Sequence, residues 1–165
     1  MDTAQPNTCF VIIPFGTKQD LGNQQVIDFD EVYEYIIKEV TEKLDLAVIK
    51  CDEIQGAGWI HRDMLEHIYR DDVAIVDITT LNPNVFYELG VRHALRRSVT
   101  VLMKQKDTAI PFDIRGMRIL NYDTTLRGSA AARKQLEEFI SNGLAQQHND
   151  SLVYDIFPDL QVSRQ

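Results

Sequence analysis

The stretch VAIVDITTLNPNVFYELG, residues 73–90, decides the fold. Its first four residues are small or β-branched and apolar, which is typical of a buried parallel strand. The residues from Val85 to Arg97 follow the pattern of a helix. The segment between them is therefore predicted to be a loop that leads from a strand into a helix.

This loop carries the residues that we single out for function. Asn82 and Asn84 can cap the free N–H groups of the helix, and Pro83 keeps Asn82 extended, so the helix is predicted to begin near Val85. Glu88 then lies in the first turn, where the helix dipole favours an ionised carboxylate. Ligands bind at this edge of open α/β sheets, which makes Glu88 a candidate nucleophile or electrostatic anchor. The alternative is a glutamate that only stabilises the start of the helix.

Length and charge limit the classes of protein that the chain can belong to. It has 165 residues, 44% of them hydrophobic, and a net charge of −8, which predicts one domain without a basic surface for nucleic-acid polymers or membranes. No charged-then-apolar leader and no apolar run of about 18 residues is present, so the sequence predicts a cytoplasmic protein. The four histidines, His61, His67, His93 and His148, have no metal-site spacing, and we predict no metal and no cofactor.

A second unusual loop follows the first predicted strand, Cys9 to Ile13. Pro14 cannot continue a central ladder, and Gly16 permits a tight turn or a close approach of the backbone to a ligand. The alternative is an ordinary turn. The polar segment from Thr17 to Gln25 is predicted to be mobile and able to act as a flap.

The remaining apolar patterns alternate between helices and strands. Residues recur at steps of three and four in three further helices, predicted over Val26 to Leu44, Trp59 to Tyr69 and Ser129 to Leu144. Three short apolar runs predict further strands over Leu46 to Ile49, Ser98 to Leu102 and Met117 to Tyr122. A charged residue, Arg118, suits an edge position for the last of these strands.

This alternation predicts a flavodoxin-like (Rossmannoid), doubly wound α/β sandwich of about five parallel strands in the order 2-1-3-4-5. In that order the topological switch point lies between strands one and three, so the two unusual loops form the walls of one crevice. We expect the substrate-binding residues at this edge to be Pro14, Phe15, Gly16, Asp52, Asp77, Asn82 and Asn84. For Asp52 and Asp77 the alternative role is loop capping.

The C-terminal segment is polar but contains a dense set of apolar residues: Leu152, Val153, Tyr154, Ile156, Phe157 and Leu160. Such density predicts that the segment docks, either on its own domain or on a neighbouring molecule. We therefore divide the chain into an α/β domain, residues 1–147, and an apolar docking tail, residues 148–165.

Three segments together resemble the nucleoside 2-deoxyribosyltransferase-like group: FVIIPFG at 10–16, DVAIVDIT at 72–79 and NPNVFYELG at 82–90. That group is similar in fold to the Toll/interleukin-1 receptor (TIR) domains that cleave NAD. The resemblance runs from about Cys9 to Tyr122 and implies that Glu88 matches the catalytic glutamate. In the transferases this glutamate attacks the anomeric carbon, and in TIR enzymes it binds the ribose beside the nicotinamide bond. The resemblance also implies a homo-oligomer.

One departure affects the substrate that we predict. Typical deoxyribosyltransferases place an aspartate six residues before the glutamate, where this chain has Asn82, which cannot act as an acid. Nicotinamide leaves as a neutral base and needs no acid to protonate it. The leading prediction is therefore cleavage of the N-glycosidic bond of NAD, by a glycohydrolase or cyclase in immune or stress signalling. The alternatives are a nucleoside 2-deoxyribosyltransferase or nucleoside hydrolase and, in another class, a non-catalytic nucleotide-sensing or assembly module.

Overall fold

The computed structural model describes residues 6–51, 60–146 and 148–163. Its centre is a sheet of five strands in which all neighbours run parallel. These strands are β1 (Thr8–Ile12), β4 (Ala47–Lys50), β5 (Val73–Asp77), β6 (Thr100–Gln105) and β7 (Ile119–Tyr122). Two further strands, β2 (Thr17–Gln19) and β3 (Val26–Asp28), pair with each other as an antiparallel hairpin.

The order across the sheet is β4-β1-β5-β6-β7, which becomes 2-1-3-4-5 when the five strands are numbered among themselves. The predicted fold class is confirmed. Every residue of β5 and of β6 is buried, as expected for central strands, whereas β4 and β7 alternate or are partly exposed and lie at the edges.

Helices cover both faces of the sheet. Helix α1 has three consecutive segments, α-helical Phe29–Val32, π-helical Tyr33–Lys38 and α-helical Glu39–Lys43. The further helices of the described ranges are α2 (Ile60–Arg70), α3 (Pro83–Leu95), α4 (Leu126–Gln146) and α5 (Leu152–Ile156), and a short 3-10 helix spans Phe112–Ile114. Helices α1 and α4 pack on one face, in the core cluster that contains Ile75 and Met103, and helices α2 and α3 pack on the other, with Phe10 and Val76.

The predicted helix from Val26 to Leu44 was wrong at its start. Asp28 ends β3 and caps α1, because its carboxylate accepts hydrogen bonds from the N–H groups of Asp30 (3.0 Å) and Glu31 (3.3 Å). Residues 26–28 pair with β2 instead of continuing the helix. Sequence periodicity missed this boundary because Val26 and Ile27 extend the apolar pattern of the helix backwards.

The segment predicted as a mobile flap forms the first strand and the turn of this hairpin, and two contacts tie it to the loop after β6. Asp20 is buried and accepts a hydrogen bond from the hydroxyl of Thr108 at 2.7 Å. The amide of Gln25 donates to Asp107 at 3.0 Å. The hairpin is therefore a wall of the carboxyl edge, fixed by side chains that lie more than 80 residues away in sequence.

The fourth strand of the sheet begins later and runs further than predicted. The predicted strand ended at Leu102, yet the polar residues Lys104 and Gln105 both lie in β6 and are at most 5% exposed. The ammonium group of Lys104 donates to the carbonyls of Gln105 (3.1 Å) and Lys106 (2.8 Å). These hydrogen bonds satisfy the buried ammonium group, so the strand can include a lysine that the sequence pattern did not assign to it.

Candidate active site

Helix α3 begins at Pro83, two residues before the predicted start. Asn82 is extended (φ −65°, ψ 124°), and its side-chain oxygen accepts a hydrogen bond from the N–H of Asn84 at 2.9 Å. The predicted cap at Asn82 is confirmed, whereas Asn84 contributes its backbone and has an exposed side chain. Because the helix begins earlier, Glu88 lies in its second turn and not in its first.

Glu88 is a buried acid for which the described residues provide no partner. It is only 8% exposed and lies on the face of α3 that also buries Val85 and Leu89 against the sheet. Within the described part of the chain its carboxyl group makes no hydrogen bond and no ion pair. Burial raises the pKa of Glu88 to about 7.

This result corrects the expectation that the helix dipole keeps Glu88 ionised. The dipole acts mainly within the first turn, and Glu88 lies beyond it. Desolvation is the cause that remains, and it favours the protonated form. Near neutral pH the protonated and ionised forms of Glu88 are therefore both well populated, which is the state expected of a reacting carboxyl group.

Asp77 ends β5 and is engaged by the protein itself. One of its carboxylate oxygens, Oδ1, accepts hydrogen bonds from the N–H of Thr79 (2.9 Å) and from the Thr79 hydroxyl. The other, Oδ2, accepts from the hydroxyl of Tyr122 at 2.7 Å. Burial raises the pKa of Asp77 to about 6, and these hydrogen bonds act in the opposite direction. With Asp77 only 1% exposed, the geometry favours the alternative role, in which it caps its own loop.

Asp77 and Glu88 share an edge of the sheet but not a face. Asp77 alternates with Val73 and Ile75, which face α1 and α4, whereas Glu88 belongs to the helix on the opposite face. The sequence predicted one edge correctly, but strand alternation places the two carboxyl groups on opposite sides. They do not form a pair of interacting acids.

The loop of Pro14, Phe15 and Gly16 leaves β1 next to the end of β5, as the predicted crevice requires. Gly16 has a φ of +63°, and the bond from the Phe29 N–H to its carbonyl (3.1 Å) ties the loop to α1. Phe15 is 59% exposed, and the Lys18 ammonium lies 5.1 Å from its ring centroid. The loop thus presents an aromatic side chain and a cation at this edge. Asp52, the remaining predicted substrate contact, lies outside the described residues.

Two residues that matter for the geometry were missed by sequence reasoning. Tyr122 appeared only as the last residue of a strand, and Thr79 only as part of a loop. The signal that could have found them is the order of strands, because a tyrosine at the carboxyl end of β7 is within two strands of Asp77. The bond between them joins residues 45 positions apart.

Comparisons with known proteins find similarity of structure. No protein-family model matches the chain, and no curated protein sequence matches it. A solved structure that it resembles is a 2-deoxyribosyltransferase from the psychrotolerant bacterium Bacillus psychrosaccharolyticus, described as a biocatalyst for the synthesis of antiviral and antitumoral nucleosides. The two chains are 17% identical, with a TM-score of 0.49, and the match covers 71% of this chain and 93% of that one.

The opposite edge of the sheet contains a cavity of about 600 Å³, beside the amino end of β6. Phe139 of α4 and Asp150 of the tail line it, together with the strand. None of the predicted site residues that the structure describes lines it. The candidate site is therefore assigned by the chemistry of Glu88 and by sheet topology, not by the volume of this cavity.

Two further features bear on ligands and location. In the ranges that the structure describes, no group of three His, Cys, Asp or Glu side chains is placed to hold a metal ion. No helix in those same ranges is long and apolar enough to cross a membrane.

Proposed function

We propose that this protein cleaves the N-glycosidic bond of a nucleoside or nucleotide, with Glu88 as the group that reacts at the sugar. The observation that carries the proposal is a buried carboxyl group, without a partner among the described residues, at the carboxyl edge of a parallel sheet. Because burial raises its pKa to about 7, Glu88 is partly ionised and partly protonated at neutral pH.

The reaction needs few groups. The Glu88 carboxylate attacks the anomeric carbon, the bond between that carbon and the base nitrogen breaks, and its electron pair leaves with the base. Water, or a second base in a transferase, then attacks the same carbon. The bond between sugar and carboxylate breaks, and Glu88 is released in its ionised form. A carboxylate suits this task because positive charge develops on the sugar.

A nucleoside is the first substrate class that we propose, on the resemblance of the three segments around Glu88 to the deoxyribosyltransferase group. A purine or pyrimidine leaving group takes up a proton as it departs. Protonated Glu88 is not available for this once it is the nucleophile, so the proton comes from solvent or from another acid at this edge. Transfer and hydrolysis differ only in whether a second base or water accepts the sugar.

NAD is a second candidate, and two observations favour it. Asn82 acts as a helix cap, and Asp77 is buried with both of its oxygens accepting hydrogen bonds. Neither residue is placed to protonate a leaving base. Nicotinamide departs neutral from a cationic ring and requires no proton. Cleavage of NAD is therefore compatible with a site in which Glu88 is the carboxyl group that the described residues provide at the sugar.

The direct test compares purified wild-type protein with Glu88→Gln, using Glu138→Gln on exposed α4 surface as the matched control. We expect turnover of the true substrate to fall at least about a hundredfold in Glu88→Gln and to be unchanged in the control. The substrates are deoxyadenosine with a free pyrimidine base, deoxyadenosine alone, and NAD, with products separated by chromatography.

The acid side of the pH profile gives a second reading from the same samples. Because the ionised carboxylate is the nucleophile, kcat should rise with pH through about 7, the pKa of Glu88. Equal rates for wild type and Glu88→Gln on the substrate that is turned over would exclude Glu88 from the chemistry. Binding of a nucleotide without turnover by either protein would favour the non-catalytic sensing module instead.

A further inference from the structure

A network of buried hydroxyl and carboxyl groups spans β5 to β7 at the same edge of the sheet as Glu88, but on the opposite face. It joins Tyr122 at the end of β7, Asp77 at the end of β5 and Thr79 in the loop that follows β5. The Tyr122 hydroxyl donates to Asp77 at 2.7 Å and lies 3.1 Å from the Thr79 hydroxyl oxygen. All three side chains are at most 1% exposed.

Backbone bonds attach the same loop to β6. The N–H of Ile78 donates to the carbonyl of Met103 at 3.0 Å, and the N–H of Gln105 donates to the Thr79 hydroxyl at 3.0 Å. The N–H of Leu81 then closes a turn onto the carbonyl of Ile78 at 3.0 Å. The loop that leads into α3 is thus fixed by β6 and β7 as well as by its own strand.

We propose that Tyr122, acting through Asp77 and Thr79, is a positioning residue for Glu88. Thr79 lies three residues before the cap Asn82, so a fixed loop fixes the first turns of α3 and with them the depth at which Glu88 is buried. The inference rests on the proposed function only in taking Glu88 as the reacting group.

The network acts through the loop and not by contact with the reacting group. Tyr122 and Asp77 lie on the face of the sheet that packs against α1 and α4, whereas α3 covers the other face. An ionised Asp77 accepts all three hydrogen bonds, which hold the loop. Among the described residues, Asp20 of the hairpin is the other charged group that acts on Tyr122.

Removing the Tyr122 hydroxyl has a defined electrostatic consequence. Its hydrogen bond lowers the pKa of Asp77 against the effect of burial, so its loss raises that pKa towards neutrality. A protonated Asp77 cannot accept the same set of hydrogen bonds, and the loop is released. Water then reaches Glu88, whose pKa is raised by burial and therefore falls.

The test is a pH titration of Tyr122→Phe by NMR, with ¹³C-labelled Asp and Glu carboxyl groups and no substrate present. We expect the Asp77 pKa to rise by about one unit and the Glu88 pKa to fall by about one unit. Tyr69→Phe is the matched control, because the Tyr69 hydroxyl is buried without a partner in the described ranges. Both carboxyl pKa values should be unchanged in this control.

A second pair of variants tests the same chain of contacts at Thr79. Thr79→Val should shift the Glu88 pKa as Tyr122→Phe does, and Thr79→Ser should restore the wild-type value. On an active substrate, kcat should fall about tenfold in Tyr122→Phe and Thr79→Val with KM changed less than about twofold.

An unchanged Glu88 pKa in folded Tyr122→Phe and Thr79→Val would overturn the proposal. So would loss of the native fold in both, because the network would then stabilise the domain as a whole. Failure of the proposed function gives a different result, since wild type and Glu88→Gln would then turn over substrate equally while the NMR shifts persist.

Discussion

Glu88 and Arg92 are two buried ionisable residues one turn apart on the same face of α3, and the protein treats them in opposite ways. Arg92 is fully buried, and all five of its N–H donors are satisfied. Its acceptors are the carbonyls of Ile68 (2.8 Å), Asp71 (2.8 Å), Asp72 (3.2 Å) and Val99 (2.9 Å) and the hydroxyl of Thr100 (3.3 Å). Glu88 has no hydrogen bond in the described part of the chain.

This difference distinguishes a structural residue, Arg92, from the candidate reacting residue, Glu88, on one helix. Burial lowers the pKa of Arg92 to about 10, yet it stays charged because its partners replace water. Burial raises the pKa of Glu88 to about 7, and no side chain or backbone group of the described residues replaces the lost water by a hydrogen bond. A buried polar group that is left unsatisfied costs stability, and proteins retain such groups where function requires them.

The largest expected effect on stability comes from replacing Arg92. Arg92→Met keeps the length and apolar character of the side chain but leaves buried carbonyls without donors, so the free energy of unfolding should fall by about 3–5 kcal/mol. Arg96→Met is the matched control, since the Arg96 guanidinium contacts the carbonyls of Tyr69 and Arg70 and is partly exposed. Urea denaturation should show a loss of about 1 kcal/mol or less there. Equal losses of unfolding free energy in the two variants would show that the buried Arg92 contributes no more to stability than Arg96 does.

The next largest effect is a pH-dependent gain of stability when Glu88 is replaced. The pKa of Glu88 is about 7 in the folded protein and near its usual value of 4.5 when unfolded, so its stabilising contribution is complete below pH 4.5 and is lost as pH rises through 7. Glu88→Gln does not suffer this loss. It should therefore be more stable than wild type at pH 8 by up to about 3 kcal/mol, with the difference shrinking towards pH 4.5.

Denaturation curves of both proteins at several pH values measure this difference, in which other titrating groups cancel. A stability difference that is the same at pH 5 and pH 8 would show that Glu88 is not held in a raised-pKa state. Glu138→Gln, an exposed change, should give no difference at either pH.

The smallest expected effect concerns the tail, which docks on the C-terminal end of α3. Ser151 is buried, and its hydroxyl donates to the carbonyl of His93 at 2.6 Å. Ser151→Ala should lower the free energy of unfolding by about 1 kcal/mol, the usual net value of one buried hydrogen bond. Ser163→Ala, an exposed change in the same tail, should have no effect. A loss below the error of the urea curves would show that this bond does not hold the tail.

For the tail, the sequence predicted docking but not which of its residues are buried. Its apolar density predicted docking, and Tyr154 is indeed 4% exposed against α3, with Arg97 stacked 4.6 Å from its ring centroid. Composition could not select which apolar residues turn inward. Leu152 and Ile156 are 53% and 61% exposed, because hydrogen bonds of the tail backbone and of polar side chains set its orientation. The homo-oligomer stays a prediction.

The sequence by itself determined the sheet, its order and the edge at which Glu88 lies. These follow from local periodicity, from the β-branched run of residues 73–76 and from the few ways in which parallel strands and helices connect. The cap at Asn82 was also readable, because an N-cap involves only neighbouring residues.

Tertiary structure alone decided the ionisation of Glu88 and the role of Asp77. Both depend on what surrounds the carboxyl groups, and those surroundings come from distant parts of the chain. Tyr122, 45 residues away, turns Asp77 into a fixed part of its loop. Packing of α3 against the sheet buries Glu88 and raises its pKa, and the earlier start of α3 places Glu88 beyond the first turn, where the helix dipole mainly acts.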